Sequence, residues 1–292
     1  MKVALTGASG FLGGAIARRL AERGDAVIRL GRQETADDRT ATAALAGADA
    51  LVHCAGVYEV GIPLSRRHVL HEGNVELTAR LLGAARTVGL AKVVYISTVA
   101  VFGDTHGAIA DEGFARTSGW TSYYDLTKTR AHTLALEATA AGLPLVIVQP
   151  GQIFGPGDHS GVGAVLARVA RGRLPLIAFD DLGLSYVHVD DCAAGAVLAL
   201  ATGRTGEAYI LGGPNLRLGA LVTLLAGLAG HRPPLRVPAW PLRPFLMLSP
   251  ALRELRSATD RVTYFATSAK AASELGWRTR DLSEGLRATF LA

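Results

Sequence analysis

Short apolar runs alternate with longer amphipathic stretches along the first half of the chain. The runs are apolar on both faces, as strands buried in a parallel sheet are, and they fall at residues 3–6, 26–30, 50–54, 93–97 and 145–148. The stretches between them place apolar residues at helical spacing, most extensively over 66–88 and 122–141. This alternation predicts an α/β fold with a doubly wound parallel sheet, which binds ligands at the carboxyl ends of its strands.

A glycine-rich turn follows the first strand directly. Gly7, Gly10 and Gly13 recur at three-residue intervals, and an amphipathic helix pattern begins behind them. Glycines let the backbone approach a pyrophosphate, and the N-terminus of the following helix offers unpaired N–H groups to it. A turn that only packs a helix onto a strand also uses glycine, but the position after the first strand favours a phosphate site. The residues predicted to hold a dinucleotide here are Gly7, Ser9, Gly10, Phe11, Leu12 and Gly13.

A tyrosine and a lysine four residues apart occupy a predicted helix. Tyr124 and Lys128 therefore lie on one helical face, one turn from each other. An ammonium group in that position is expected to lower the pKa of the tyrosine, which makes its hydroxyl a proton donor or acceptor near neutral pH. The competing interpretation is an aromatic residue in the core beside a solvated lysine. Ser97 and Thr98 end an earlier strand, where a hydroxyl binds a substrate oxygen or, alternatively, satisfies turn backbone.

The second half of the chain follows a different pattern, because a glycine-rich loop after Pro150 ends the regular alternation. Residues 185–200 and 207–211 still look like a helix and a strand of the sheet domain. We therefore predict a dinucleotide-binding domain at 1–150, completed by about 184–212. A smaller C-terminal lobe, formed by 151–183 and 213–292, is predicted to bind substrate.

Composition restricts the class of function. The chain has 292 residues and a net charge of +5, and its basic residues are spread rather than clustered, which disfavours nucleic acid as a partner. Its two cysteines, Cys54 and Cys192, lie in unrelated contexts and indicate a reducing compartment without a metal site. The apolar stretch 218–230 is too short to span a bilayer, and the first strand leaves no room for a signal peptide. We expect a cytoplasmic protein without a membrane partner.

Several segments together resemble the extended short-chain dehydrogenase/reductase family, within the NAD(P)-dependent epimerase/dehydratase superfamily, over essentially the whole chain. They are the glycine turn, Tyr124-x-x-x-Lys128, and the segments 96–103, 149–158, 186–191 and 274–277. The segment 264–271 is similar to the dihydroflavonol reductase and 3β-hydroxysteroid dehydrogenase branch of that family. The resemblance implies a Rossmann sheet and an NAD(P)-dependent oxidoreductase.

The resemblance also implies roles for individual residues. Thr98, with Ser97 as the second choice, would orient the substrate oxygen, and Tyr124 would be the general acid or base. Lys128 would hold the nicotinamide ribose and tune Tyr124, whereas Asn74 matches a family position that is structural. Relatives pair through the helices near 66–88 and 122–141, which implies a homodimer. Further cofactor contacts are implied at Cys54, Ala55, Gly56, Pro150 and Ile153.

The end of the second strand bears on the choice of cofactor. Folds that prefer NAD usually place Asp or Glu there to bind the ribose 2′-hydroxyl, whereas this chain has Gly31 followed by Arg32. A guanidinium group suits a 2′-phosphate, so we predict NADP(H), unless Arg32 is only a solvated surface residue. The segment 33–45 is too short for the extra strand usual in relatives, which leaves the adenine-contacting acid open between Asp37 and Asp38.

The leading functional hypothesis is reduction of a ketone or aldehyde, or oxidation of the alcohol, in a small and rather apolar substrate. The lobe carries apolar residues that suit such a substrate or, equally, form the core of the lobe: Trp240, Phe245, Leu246 and Met247. Two alternatives are an NAD-dependent nucleotide-sugar epimerase or dehydratase and a nucleotide-binding subunit without turnover. Gln149 stands where relatives often have Arg, which weakens the first alternative, and the Thr98, Tyr124 and Lys128 set argues against the second.

Overall fold

The computed structural model describes residues 1–291. Its strands are β1 (Lys2–Thr6), β2 (Ala26–Leu30), β3 (Ala50–His53), β4 (Lys92–Ile96), β5 (Leu145–Pro150), β6 (Gln152–Phe154), β7 (Leu176–Ile177), β8 (Gly183–His188), β9 (Ala208–Leu211), β10 (Asn215–Arg217), β11 (Leu235–Arg236) and β12 (Thr263–Tyr264). Its α-helices are α1 (Phe11–Glu22), α2 (Asp38–Leu45), α3 (Arg67–His71), α4 (Leu77–Val88), α5 (Tyr123–Ala140), α6 (Gly161–Ala170), α7 (Val189–Thr202), α8 (Leu218–Leu228), α9 (Pro250–Thr259), α10 (Ala269–Leu275) and α11 (Leu282–Phe290).

The main sheet has six parallel strands in the order β2-β1-β3-β4-β5-β9. One apolar core joins a face of the sheet to α1 and α7, and a second joins the opposite face to α2, α4 and α5. Both faces are covered because the strands are apolar on both sides. The predicted fold class, an α/β Rossmann sheet, is confirmed. The chain leaves β1 for β2 on one side and returns to β3 on the other, which opens a crevice at the carboxyl ends of β1 and β3.

A second, smaller sheet lies beyond the main one. Here β8 pairs with β6, β10 and β12, and a third core fills the space around them. Within the segment 184–212, α7 packs against α1 and β9 joins the main sheet, but β8 belongs to the second sheet. The prediction of a helix over 185–200 is therefore wrong for residues 185–188, which end β8, and the helix α7 begins at Val189. Local periodicity could not separate the two, because the pairing of β8 depends on contacts distant in sequence.

The connection from β2 to β3 contains α2 and, within the described chain, no additional strand, so β2 is an edge of the main sheet. Asp37 caps α2 by accepting a hydrogen bond from the Thr40 amide at 2.8 Å. None of the helices in residues 1–291 combines the length and the apolar character needed to cross a membrane.

Candidate active site

The turn after β1 is packed so tightly that glycine is required at two places. Gly7 has a φ of +71°, and a Cβ on it would lie 2.9 Å from the Ala55 nitrogen. A Cβ on Gly13 would lie 2.0 Å from the Gly7 carbonyl oxygen. The glycines thus bring α1 against β1 and the β3 loop, as the glycine spacing of a nucleotide-binding turn requires.

The N-terminus of α1 lacks the cap that most helices use. Ser122 and Ser160 cap α5 and α6 with their hydroxyls, whereas Gly10 at the start of α1 has no side chain to do so. The first turn of α1 also contains no acidic residue. Free N–H groups and the positive end of the helix dipole therefore face the crevice, and this donor set fits a pyrophosphate.

The predicted cofactor residues follow one another along the carboxyl edge of the sheet. The strand order places Arg32 after β2, the glycine turn after β1, Cys54 to Gly56 after β3, and Pro150 at the end of β5. The Thr6 hydroxyl ties two of these segments together, because it accepts hydrogen bonds from the Cys54 and Ala55 amides at 3.1 Å each. Ile153 follows three residues after Pro150, in β6 of the second sheet. Burial raises the pKa of the Cys54 thiol to about 12, so it is an unreactive wall of the crevice.

The end of β2 contains an acid that the sequence reasoning did not single out. The Glu34 carboxylate accepts a hydrogen bond from the Gly31 amide at 2.9 Å, while Arg32 is exposed and has no hydrogen-bonding or ion-pair partner among residues 1–291. Asp37 is engaged as the α2 cap. The Asp38 side chain is 93% exposed, with a carboxylate oxygen 3.6 Å from the Arg80 guanidinium.

Tyr124 lies in the first turn of α5, with the Thr98 side chain close enough to influence its phenol. Burial raises the pKa of Tyr124, the neighbouring Tyr58 and Tyr95 raise it further, and Thr98 lowers it. The expectation of a lowered tyrosine pKa is therefore wrong for the protein alone. The reason is that removal of the phenol from water penalises its charged form more than the surroundings stabilise it.

Lys128 is buried, with 6% of its surface exposed, and its ammonium group is directed at β4. It donates to the Tyr95 hydroxyl at 3.2 Å and to the Ile96 carbonyl at 3.0 Å. An ammonium group has three N–H donors, so one is without an acceptor among residues 1–291. Tyr95 was not anticipated from the sequence, where it is one more aromatic residue in an apolar strand.

Ser97 and Thr98 have different partners although they are adjacent. The Thr98 oxygen accepts a hydrogen bond from the Ala100 amide at 3.2 Å, which leaves its hydrogen free to donate. The Ser97 hydroxyl is bonded to His132 Nδ1 at 3.0 Å, one turn beyond Lys128 in α5. The geometry thus brings Thr98, and not Ser97, to Tyr124.

A buried histidine at the end of β3, His53, makes two side-chain hydrogen bonds next to the crevice. His53 Nδ1 lies 2.8 Å from the Thr6 hydroxyl, and His53 Nε2 lies 3.0 Å from the Thr78 hydroxyl. Because Thr6 accepts two backbone amides and Thr78 donates to the Asn74 carbonyl, the network assigns the proton of a neutral ring to Nε2.

Asn74 lies in a π-helical turn, Glu72–Glu76, between α3 and α4. Its amide nitrogen donates to the Val57 carbonyl and to the Thr127 hydroxyl, both at 3.0 Å, and its oxygen accepts the Val57 amide at 2.7 Å. These bonds fasten the β3 loop to α5. The asparagine therefore makes the structural hydrogen bonds that the sequence led us to expect.

Two neutral histidines near the site are expected to make stability depend on pH. Burial, with Lys128 nearby, lowers the pKa of His53 to about 3 and that of His132 to about 4. Below pH 6.5 the unfolded chain binds a proton at each of these histidines and the folded chain does not. The free energy of unfolding therefore has its full value above pH 6.5 and falls on acidification. Each histidine should contribute a slope of about 1.4 kcal/mol per pH unit. Urea unfolding from pH 7 to pH 5 measures it.

The matched variants for this test are His132→Gln and His231→Gln. The first should reduce the slope, whereas the second changes an exposed loop residue and should leave it unchanged. Equal slopes in wild type and His132→Gln would contradict the assignment.

An ion pair organises the start of α5 and was not foreseen from the sequence. Arg116 donates to both oxygens of Asp125, at 2.7 and 2.6 Å, and Asp125 is 1% exposed. Asp125 also accepts the Thr121 amide at 2.9 Å. An acid in the first turn of a helix was the available signal for Asp125, but nothing local identified its arginine.

The Tyr58 ring packs edge to face against the Tyr124 ring, with centroids 4.9 Å apart.

The fold and this edge together define a dinucleotide-binding α/β enzyme with a tyrosine and a lysine at its centre. A model of the NAD dependent epimerase/dehydratase family matches residues 3–212. The chain belongs to that family and is an NAD(P)-dependent oxidoreductase of the extended short-chain dehydrogenase/reductase type, as its sequence predicts.

Individual relatives agree with this assignment. The chain is 31% identical over 259 residues to a putative dihydroflavonol 4-reductase of Synechocystis, covering 81% of this chain and 75% of that protein. It is 31% identical over 261 residues to a 2-alkyl-3-oxoalkanoate reductase of Stenotrophomonas maltophilia, covering 79% and 76%. The fold is also that of a dTDP-glucose 4,6-dehydratase double mutant from Streptomyces venezuelae with NAD bound. That structure has a TM-score of 0.81 and 24% identity, covering 100% of this chain and 96% of the other.

Proposed function

We propose that the protein reduces the carbonyl group of an apolar ketone or aldehyde with NADP(H). The observation that supports the proposal is that Thr98 lies close enough to the Tyr124 phenol to lower its pKa, while Lys128, one turn along α5, binds the Ile96 carbonyl two residues before Thr98. A bound nicotinamide would supply the hydride for the carbonyl carbon. Tyr124 gives its phenolic proton to the carbonyl oxygen as the C=O π bond breaks, and Thr98 donates a hydrogen bond that orients this oxygen.

Tyr124 carries its proton at neutral pH, which is the form that reduction needs. Its raised pKa makes it a weaker acid than a free phenol, so the surroundings must stabilise the phenolate when the proton leaves. When Tyr124 loses its proton, the Lys128 ammonium one helical turn away stabilises the phenolate. Lys128 would also bind the nucleotide ribose with the N–H that neither Tyr95 nor Ile96 uses.

Exposed apolar residues on the C-terminal lobe support an apolar substrate. Trp240, Phe245 and Leu248 are 67%, 64% and 76% exposed, so these side chains do not form the core of the lobe. They lie in the segment before α9, the helix that approaches Gly61 and accepts the Tyr123 amide through Glu254. The relative from Stenotrophomonas maltophilia is named for reduction of an alkyl-substituted 3-oxoalkanoate, a ketone of this kind. A screen of aliphatic, aromatic and steroid-like ketones with NADPH tests the proposal, and absence of turnover with all of them contradicts it.

We propose NADP(H) as the preferred cofactor because Arg32 has a free guanidinium group at the end of β2. Arg32→Ala should raise the KM for NADPH about tenfold or more, since a charge-assisted bond to a 2′-phosphate contributes about 1.5–3 kcal/mol. The KM for NADH should not change. Arg39→Ala, at an exposed position in α2, is the matched control. An equal effect of Arg32→Ala on both cofactors would refute the role of Arg32.

A second candidate is an NAD-dependent nucleotide-sugar epimerase or dehydratase. It is favoured by the NAD-containing dehydratase of the same fold and by the Glu34 carboxylate at the end of β2, which suits a ribose 2′-hydroxyl better than a phosphate. Tightly bound NAD in the purified protein, together with no net oxidation of added NADPH, would support this candidate over the first.

Homodimer formation and a cytoplasmic location stay predictions. The helix α5, one of the two helices expected at a dimer interface, leaves Leu136 47% exposed. Light scattering of the purified protein measures the mass directly, and a monomer at micromolar concentration would contradict the dimer.

A further inference from the structure

A buried carboxylate of the C-terminal lobe reaches the catalytic helix of the main domain. Glu254 lies in α9, and 5% of its side chain is exposed. Its Oε1 accepts the Tyr123 amide at 3.0 Å and the Gly61 amide at 3.4 Å, and its Oε2 accepts the Arg67 guanidinium at 3.2 Å. One side chain therefore joins three segments that are far apart in the sequence.

The bond to Tyr123 acts on the helix that carries Tyr124. Tyr123 is the first residue of α5, so its N–H has no partner within the helix. Ser122 caps the Asp125 amide, and Glu254 supplies a second, charged cap from another lobe. A carboxylate is a favourable acceptor at this end of a helix because it also faces the positive end of the dipole.

The bond to Gly61 acts on the opposite wall of the site. Gly61 belongs to the loop that carries Tyr58, whose ring packs against the ring of Tyr124. This loop approaches α9 closely: a Cβ on Gly61, at a φ of +77°, would lie 3.1 Å from the Ala251 carbonyl oxygen. Glu254 thus contacts the backbone on both sides of the proposed proton donor.

Arg67 completes the cluster from a third side. Its guanidinium group lies 4.7 Å from the centre of the Tyr123 ring and pairs with the Glu254 carboxylate. Burying a carboxylate costs free energy unless such partners replace its lost hydration. Apolar side chains could hold the two lobes together equally well. The directional hydrogen bonds of the charged cluster therefore explain its presence better than a general need to hold the lobes together.

We propose that Glu254 is a positioning residue that couples the seating of the C-terminal lobe to the orientation of Tyr124 and Tyr58. When α9 lies on the 57–63 loop, its carboxylate fixes the first turn of α5 and that loop in one arrangement. Tyr124 and Tyr58 are then correctly oriented only when the C-terminal lobe lies against this loop. The proposal rests on the proposed function for its effect on turnover, but the contact itself has an independent test.

The kinetic test compares Glu254→Ala and Glu254→Gln with the exposed control Glu137→Gln on α5. Glu254→Ala should lower kcat at least tenfold with the KM for NADPH unchanged, and should shift the pKa assigned to Tyr124 in the pH profile of kcat. Glu254→Gln keeps an acceptor and should be less impaired. A lower thermal midpoint with unchanged kcat and pH profile would mean that Glu254 contributes only to stability, and would overturn the proposal.

Hydrogen exchange provides a measurement that does not need activity. In Glu254→Ala the amides of residues 57–63 and 121–127 should exchange faster, while those of β1 keep the wild-type rate. Wild-type exchange rates in both segments would overturn the coupling. Failure of the wild type to reduce any ketone would instead contradict the proposed function and leave the exchange result to stand alone. If Glu254→Ala does not fold, Glu254→Gln, which weakens the bonds of residue 254, and Arg67→Ala, which removes one partner of the carboxylate, carry both measurements with smaller expected effects.

Discussion

Replacing Tyr124 with Phe is expected to lower kcat by a factor of about 10²–10⁴, the usual contribution of a positioned general acid. The phenol is the proton donor of the proposed reaction, and the Thr98 side chain lies close enough to lower its pKa. Phenylalanine keeps the ring that packs against Tyr58, so folding and nucleotide binding should be preserved. Steady-state kinetics and titration of NADPH fluorescence measure the two effects separately.

Tyr123→Phe is the matched control for this substitution. Tyr123 precedes Tyr124 in α5, but its ring lies under the Arg67 guanidinium, away from Lys128, because a five-residue spacing rotates it off that face. Loss of the Tyr123 hydroxyl should leave kcat within about twofold, since a surface substitution of this kind rarely has a large effect. Similar turnover in Tyr124→Phe and wild type would refute Tyr124 as the proton donor.

Replacing Asp125 with Ala is expected to lower the free energy of unfolding by about 3–5 kcal/mol, the cost of leaving one partner of a buried ion pair unpaired. Asp125 accepts both N–H groups of the Arg116 fork as well as the Thr121 amide and hydroxyl. Its loss leaves the Arg116 guanidinium, which is 17% exposed, without a carboxylate. Urea unfolding at pH 7, followed by circular dichroism, gives the change.

Asp38→Ala is the control for charge alone, because that side chain is almost fully exposed. It should change stability by less than about 0.5 kcal/mol. A loss below about 1 kcal/mol in Asp125→Ala would mean that the pair behaves like a surface ion pair and that the loop before α5 is held by other contacts.

The parts of the site that depend on local patterns could be predicted from the sequence. The apolar strands and the glycine turn are local, because sterics within a few residues decide them. The spacing of Tyr124 and Lys128 placed both on one face of α5, which the helix confirms. These features are sufficient to identify the main sheet and the family.

The contacts that organise the site could not be predicted in this way. Glu254 binds the Tyr123 amide across 131 positions of sequence, and Lys128 binds the Tyr95 hydroxyl across 33. No spacing rule reports such pairs. The pKa of Tyr124 was misjudged for the same reason, because periodicity shows that an ammonium group is near but does not show how far the phenol is removed from water.

The missing cap on α1 has a consequence for how ligands of this protein can be found. A helix whose N-cap is glycine forgoes only about a few tenths of a kcal/mol relative to a side-chain cap, and a bound anion would satisfy the same N–H groups. Any nucleotide that binds the folded state alone raises the melting temperature by mass action, by an amount set by its concentration relative to Kd. Thermal melts with NADP, NAD, their reduced forms and nucleotide sugars therefore rank candidate ligands before a substrate is known. The order of the shifts reports affinity independently of any reaction.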